Sequence, residues 1–285
     1  MTLYAPAKIN LCLRVLGKRP DGYHDIETVF ERIALFDRIV LKSLKNGKVK
    51  IFCDNPSVPT GKQSLTRRAV ELLKKEKDTS KGVEVKIFKK IPIAAGLGGG
   101  SSDTASILKG LKKLWRLSIS PGRLTELGKS LGSDIPFFLK NCSFASGGGR
   151  GDEIKKLKQK KKLWHLIVSP PLKLSSKDIY RSCVHKMGTA PFLNREETMQ
   201  KGRCPHFHLT NDLEKAVLKK APLVRKIKKS LAGIGVGHPL VSGSGPSVFS
   251  LFEKRKEAIR AKELLIRRFP AAKRSGWQIF TVSTL

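Results

Sequence analysis

The chain has no apolar run long enough to cross a bilayer. Its hydrophobic stretches are broken by lysine, proline or glycine well short of the ~18 residues a spanning helix needs, so no membrane association is expected. Cysteine is sparse: five residues, an odd number without regular spacing, argue against a disulfide scaffold and for free thiols in a reducing, cytoplasmic setting. The opening MTLYAPAKINLCLRV has no basic segment ahead of an apolar core and no small-residue cleavage site, and reads as mature protein. Acidic residues are also few. Against 57 Lys and Arg, the 23 Asp and Glu leave a formal charge of +34, which would suit a nucleic-acid binder. The cations are spread along the whole chain, however, and no recognition-helix, zinc-finger or RNA-binding signature accompanies them. The reading is a generally cationic surface with incidental polyanion affinity and no specific nucleic-acid partner. Cys204, His206 and His208 resemble half of a zinc site, but no second pair completes it, so no protein metal centre is expected.

At 285 residues the chain can bury one large core or two moderate ones. The stretch 91–108, IPIAAGLGGGSSDTASIL, organises what is present. Ahead of it, 83–92 alternates as a strand does; behind it, Ile107, Leu108, Leu111 and Leu114 have the three-and-four spacing of a helix face. Between them Gly96, Gly98, Gly99 and Gly100 allow backbone N–H groups to converge, and Ser101 and Ser102 add hydroxyls at a helix start, where the dipole favours an anion. The combination describes a phosphate cradle. A Walker loop is excluded because no lysine follows Gly100, and the dinucleotide fingerprint because Ser101 stands where its last glycine belongs.

Elsewhere, 2–16 and 26–35 alternate as strands around the turn 17–22, and 49–53 is a further strand. Helices are predicted over 64–75, capped by Ser64 with Leu65, Ala69, Leu72 and Leu73 inward, and over 120–131, with a serine cap and proline at the first position. Asp134 is read on a short turn before an apolar strand. The segment 143–154 is read as a glycine-rich turn, and the basic run 155–162 as a domain junction. Short helices follow at 175–183, 211–220, 222–231 and 257–269, with a final strand at 277–282; 186–206 is irregular. Gly243, Ser244 and Gly245 form a second turn able to meet an anion.

Phosphoryl transfer needs positioning, charge neutralisation and a group to take the proton of the attacking hydroxyl. Asp134, between Gly132 and Pro136, is the candidate base. Lys8 is its candidate partner, because a lysine on an otherwise apolar strand is costly to bury without an opposite charge. Each also has a plain structural reading, as a helix cap and as a snorkelling surface lysine.

The run from Pro92 through Gly96, Leu97 and Gly98 to Ser101 and Ser102 resembles the nucleotide-phosphate loop of the GHMP small-molecule kinases. The similarity narrows through 5–30, with Lys8, Asn10, Asp21, Gly22, Tyr23 and His24, and through 132–138, Asn211-Asp212-Leu213-Glu214 and Ser242-Gly243-Ser244-Gly245. These resemble the branch of the family acting on a cytidine-diphosphate-linked methylerythritol in the non-mevalonate route to isoprenoids. The resemblance implies a two-domain α/β (α+β) protein: a ribosomal-S5-like N-terminal domain over 1–155 and a ferredoxin-like C-terminal domain over 156–285. It implies Lys8 and Asp134 as the catalytic pair. Pro92, Ile93, Ala94, Ala95, Gly96, Leu97, Gly98, Gly99, Gly100, Ser101 and Ser102 would bind ATP, with Mg2+ accompanying the nucleotide. Tyr23, His24 and Tyr180 would recognise the cytosine and Asn10 the acceptor alcohol, in a monomer or weak homodimer. Another kinase of the superfamily, acting on homoserine or a mevalonate derivative, is the nearest rival, and a polyanion-binding protein the rival from another class. The chain departs from the family pattern in having Ser64-Leu65 for Asn-Leu, Asp103 for a common Asn, where it would cap the helix, and extra glycine at 147–151.

Overall fold

The computed structural model describes residues 1–158, 161–183, 209–270 and 275–285. The irregular stretch 186–206, part of the basic run 155–162 and the 204–208 cysteine–histidine cluster lie outside the described residues. The chain divides into two compact units, one made of Met1–Ala7, Leu35–Ile93 and Gly98–Asn141, the other of Lys8–Ala34, Ala94–Leu97 and Cys142–Leu285.

In the first unit, the end of β2 (His24–Leu44) pairs antiparallel with β4 (Gly82–Phe88), from Arg38 opposite Phe88 to Leu44 opposite Gly82, and β3 (Val49–Cys53) runs parallel to β4. Val83, Val85 and Ile87 are buried while Glu84 and Lys86 turn outward, as a strand's two-residue period requires. The helices are α1 (Leu65–Glu76), α2 (Gly99–Leu114), α3 (Pro121–Leu131) and α4 (Ile135–Leu139). Ser64 caps α1 by accepting from the Arg67 N–H at 3.2 Å, and Ser120 caps α3 by accepting from Arg123 at 3.1 Å. On α1 the inward face is Thr66, Ala69, Val70 and Leu73; Leu65 and Leu72, expected inside, sit half-buried at its edge.

Segment 135–139 is a helical turn and not the expected strand. Five residues are too short to show a period, and Pro136 suits the first turn of a helix, where its missing N–H would have no partner.

In the second unit, the later part of β1 (Thr2–Lys18) pairs in parallel with β8 (Thr210–Asn211) through Cys12 and Leu13. The early part of β2 pairs with β5 (Phe144–Gly148), which continues into a hairpin with β6 (Glu153–Lys156). The glycine-rich 143–154 is therefore mostly strand. Gly147 faces a close cross-strand neighbour, since a Cβ there would lie 2.6 Å from Phe30 Cε2, and only the tip turns. A separate antiparallel sheet has the order β11 (Gln278–Ser283), β7 (Trp164–Ser169), β10 (Val248–Phe252), β9 (Leu240–Val241). The unit's helices are α5 (Ser176–Arg181), α6 (Glu214–Lys220), α7 (Pro222–Gly233) and α8 (Arg255–Arg268); α7 and α8 pack on the sheet. Leu166, Val168, Ile227, Leu231, Val248 and Leu265 form the core between those layers.

Candidate active site

β4 ends at Phe88, and the glycine loop beyond it turns through left-handed backbone at Ala94 (φ 53°), Gly96 (φ 79°) and Gly98 (φ 68°) before α2 begins at Gly99. Alternation of left- and right-handed residues is what turns successive N–H groups toward one point. Ala94 adopts this conformation without being glycine, at a cost of ~1 kcal/mol, and nothing in its side chain signals it. Ser101 is half-buried. Ser102 is fully buried, and its hydroxyl has no hydrogen-bond partner.

Within the second unit, residues 94–97 are gripped by the Ser242–Gly245 turn. The Ser242 hydroxyl donates to the Gly96 carbonyl at 3.0 Å and the Ser247 N–H donates to the Ala95 carbonyl at 3.3 Å. Gly245 lies so close that a Cβ on it would be 2.0 Å from the Gly96 nitrogen. The turn read from sequence as a second anion site thus has a definite mechanical role, that of bracing the first loop. Asn211 holds the turn in place, its amide donating to the carbonyls of Val241 and Gly243 at 2.9 and 2.7 Å while its oxygen accepts the Leu213 N–H.

Lys8 is buried on β1, and its backbone N–H donates to the Leu97 carbonyl at 3.0 Å. Its ammonium donates to Asn10 Oδ1 at 2.6 Å, two residues along the same strand face. That bond fixes the Asn10 amide, whose Nδ2 donates to Thr28 Oγ1 at 2.8 Å, and Thr28 donates in turn to the Cys12 carbonyl. A Cβ on Gly243 would stand 3.0 Å from Asn10 Oδ1 and 3.6 Å from Lys8 Nζ, so only glycine leaves room beside the pair. The two predicted residues are therefore joined. Thr28, which completes the network, was not legible in an alternating strand.

His24 and Tyr180 also come together, with rings stacked at 5.2 Å and 27°. Tyr23 is 54% exposed and takes a different neighbour, the Arg150 guanidinium 5.0 Å from its ring. The turn beneath is ordered by Arg19, which pairs with Asp21 and Asp25, and by the Asp21 carboxylate accepting the Tyr23 N–H at 3.0 Å. The Tyr23 N–H, helped by Arg19, holds the Asp21 carboxyl below its ordinary pKa. Helix α5, which carries Tyr180, is tied to the glycine turn through the hydroxyls of Ser176 and Ser244, 2.7 Å apart.

Asp134 belongs to the first unit, half-buried at the start of α4, and its side chain does not cap that helix. Helix α4 is held close to α3 because Gly128 has no side chain; a Cβ there would lie 2.7 Å from Leu139 Cδ1 and 2.9 Å from Ile135 Cγ2. Asp103, expected as a helix cap, is instead buried inside α2 and ion-paired with Lys89 at 2.7 Å; Gly98 occupies the cap position.

These features define a small-molecule kinase of the two-domain α+β GHMP fold. Residues 64–141 match the GHMP kinases N terminal domain and residues 200–271 the GHMP kinases C terminal domain. A relative from Syntrophotalea carbinolica, named 4-diphosphocytidyl-2-C-methyl-D-erythritol kinase, is 36% identical over 98% of this chain and 96% of its own. One of the same name from Pelotomaculum thermopropionicum is 40% identical over 88% of each chain. A solved structure of 4-(cytidine 5'-diphospho)-2C-methyl-D-erythritol kinase superposes with TM-score 0.79 at 30% identity, covering 99% of this chain and 98% of that one. Homoserine kinase from Cytophaga hutchinsonii, at 16% identity and TM-score 0.74, shares the fold alone. The chain belongs to the 4-diphosphocytidyl-2-C-methyl-D-erythritol kinase family.

Proposed function

We propose that the chain transfers the γ-phosphoryl group of ATP to the 2-hydroxyl of 4-diphosphocytidyl-2-C-methyl-D-erythritol, in the non-mevalonate route to isoprenoid precursors. The observation that carries this reading is the buried Lys8–Asn10–Thr28 network in a chain alike over its whole length to kinases of that name. A desolvated ammonium is an effective stabiliser of charge developing on a transferred phosphoryl group. Asp134 accepts the proton of the attacking hydroxyl, a contribution of ~10²–10⁴-fold. Residues 92–102 hold the nucleotide phosphates, Asn10 orients the acceptor alcohol, and Tyr23, His24 and Tyr180 select the cytosine by stacking and edge hydrogen bonds.

Among the described residues no group of three or more His, Cys, Asp or Glu is placed to hold a metal ion. Magnesium is read as accompanying the nucleotide substrate, carried by its phosphates. Among the described residues no helix is long and apolar enough to cross a membrane. The enzyme is read as cytoplasmic, working as a monomer or weak homodimer. The boundary between the two family domains is placed near residue 155.

The test is a coupled ADP-release assay with ATP and magnesium, offering the cytidyl acceptor, homoserine and mevalonate in parallel, with Asp134→Ala as control. Turnover confined to the cytidyl acceptor and lost in the variant is expected. Turnover with another acceptor, or with none, overturns the assignment.

A further inference from the structure

Lys89, at the exit of β4, is only 5% exposed in its side chain and lies between two buried carboxylates. Its ammonium donates to Asp37 Oδ2 on β2 and, at 2.7 Å, to Asp103 Oδ2 on α2. The other oxygen of Asp37 accepts the backbone N–H groups of Lys90 and Ile91 at 2.6 and 2.8 Å, the two residues that lead into Pro92. Lys89 also touches the helix start, since a Cβ on Gly99 would be 3.3 Å from its Nζ. One cation thus ties the strand exit to the first turns of α2. Asp103 Oδ1 has no partner, and neither has the neighbouring Ser102 hydroxyl; both are buried.

We propose that Asp103 is a positioning residue for the nucleotide phosphates: through Lys89 it fixes Ser101 and Ser102 against the exit of β4, and its charge sets the field at the head of α2. This rests on the reading of 92–102 as the phosphate loop.

Two carboxylates sharing one ammonium leave the cluster with a net negative charge beside an anion site, which opposes phosphate binding. Protonation of Asp103 removes that opposition. Burial, with Asp37 adding to it and Lys89 opposing it, pushes the Asp103 carboxyl up to about 7. The charged or titratable groups that bear on the cluster are Asp37 from β2, Lys89 from the β4 exit, and Cys53 and Asp54 from the end of β3; the Asp54 carboxylate accepts the Lys89 N–H at 2.9 Å.

The full-length protein, wild type and Asp103→Asn, is to be titrated with magnesium-ATP by calorimetry at pH 6 and pH 8 and then assayed for KM of ATP and of the acceptor. Asparagine keeps an acceptor for Lys89 and removes the charge. At pH 8 the variant should bind ATP about three- to tenfold more tightly than wild type, and at pH 6 equally within twofold, with the acceptor KM unchanged. Asp103→Leu, which removes the acceptor as well, should weaken ATP binding at both pH values. An Asp103→Asn effect that is the same at both pH values, or a parallel fall in kcat and rise in both KM values, overturns the proposal. Should neither variant fold, wild type alone decides: ATP binding near pH 7 must take up a proton, read as a buffer-dependent heat, and its absence is a refutation. Wild type that binds no ATP at either pH would refute the kinase reading itself, whereas binding with no pH-dependent difference refutes only the role of Asp103.

Discussion

Replacing Gly245 with alanine tests whether the 242–245 turn braces the phosphate loop. The new Cβ would lie 2.0 Å from the Gly96 nitrogen and 2.1 Å from the Ala95 carbonyl carbon, while ordinary contact begins at 3.4 Å, so the two loops must separate by about 1.4 Å. Both neighbours are backbone, so no side-chain rotation relieves the clash. Separation stretches the Ser242–Gly96 and Ser247–Ala95 hydrogen bonds beyond useful length, costing ~1 kcal/mol each, on top of ~1–3 kcal/mol of overpacking. A total of about 3–5 kcal/mol corresponds to a fall in Tm of about 6–20 °C for a chain of this size. A loop displaced by more than 1 Å should also lower kcat/KM for ATP by about 100-fold. Thermal melting and steady-state kinetics would be run beside Gly122→Ala on α3, where the nearest neighbour of the new Cβ is the Ser120 hydroxyl at 3.9 Å. The control should hold its activity and match or exceed the wild-type Tm, because alanine is the better helix former. A Gly245→Ala protein with Tm within 2 °C (about 1 kcal/mol) and kcat/KM within about twofold of wild type (under 0.5 kcal/mol) would refute the bracing argument.

Lys8→Met keeps the bulk of the side chain and removes the charge; kcat should fall about 100-fold or more with the circular dichroism spectrum unchanged, and near-normal turnover would discard Lys8 as the charge stabiliser. Thr284→Val removes a hydroxyl that donates to Glu31 at 2.6 Å and accepts the Leu163 N–H at 2.8 Å, so urea unfolding should report a loss of about 2 kcal/mol with activity per folded molecule preserved. Because Asp103 is raised in the folded state, the native protein binds more protons than the unfolded chain between pH 4 and 7. Wild-type stability relative to Asp103→Asn should therefore fall as pH is raised through that window, by at most ~1.4 kcal/mol per pH unit, and melting curves at pH 5 and 8 check the sign. Iodoacetamide should label the half-exposed Cys53 and Cys183 before the buried Cys12 and Cys142, with the Cys12 thiol pushed up to about 12 by burial; peptide mass spectrometry gives the order.

Much of this protein was legible in one dimension. Ser64, Ser120 and Ser175 each mark a helix start and each accepts a hydrogen bond from the N–H three residues on, and the alternation at 83–87 marks β4. The glycine run marked the turn that leads into α2, and the two-residue spacing of Lys8 and Asn10 placed them on one face. Capping, periodicity and backbone preference act over a few residues, so the residues themselves determine them. The tertiary structure decided the rest. It turned 135–139 into helix, put Gly147 in a strand against Phe30, and set Ser242 on Gly96 across 146 positions. It also took Asp103 from a presumed cap into a buried pair with Lys89, 14 positions away, alongside Asp37, 52 positions from Lys89. The cost of burying a charge and the clash of one backbone with another depend on distance in space, and separation along the chain carries no record of either.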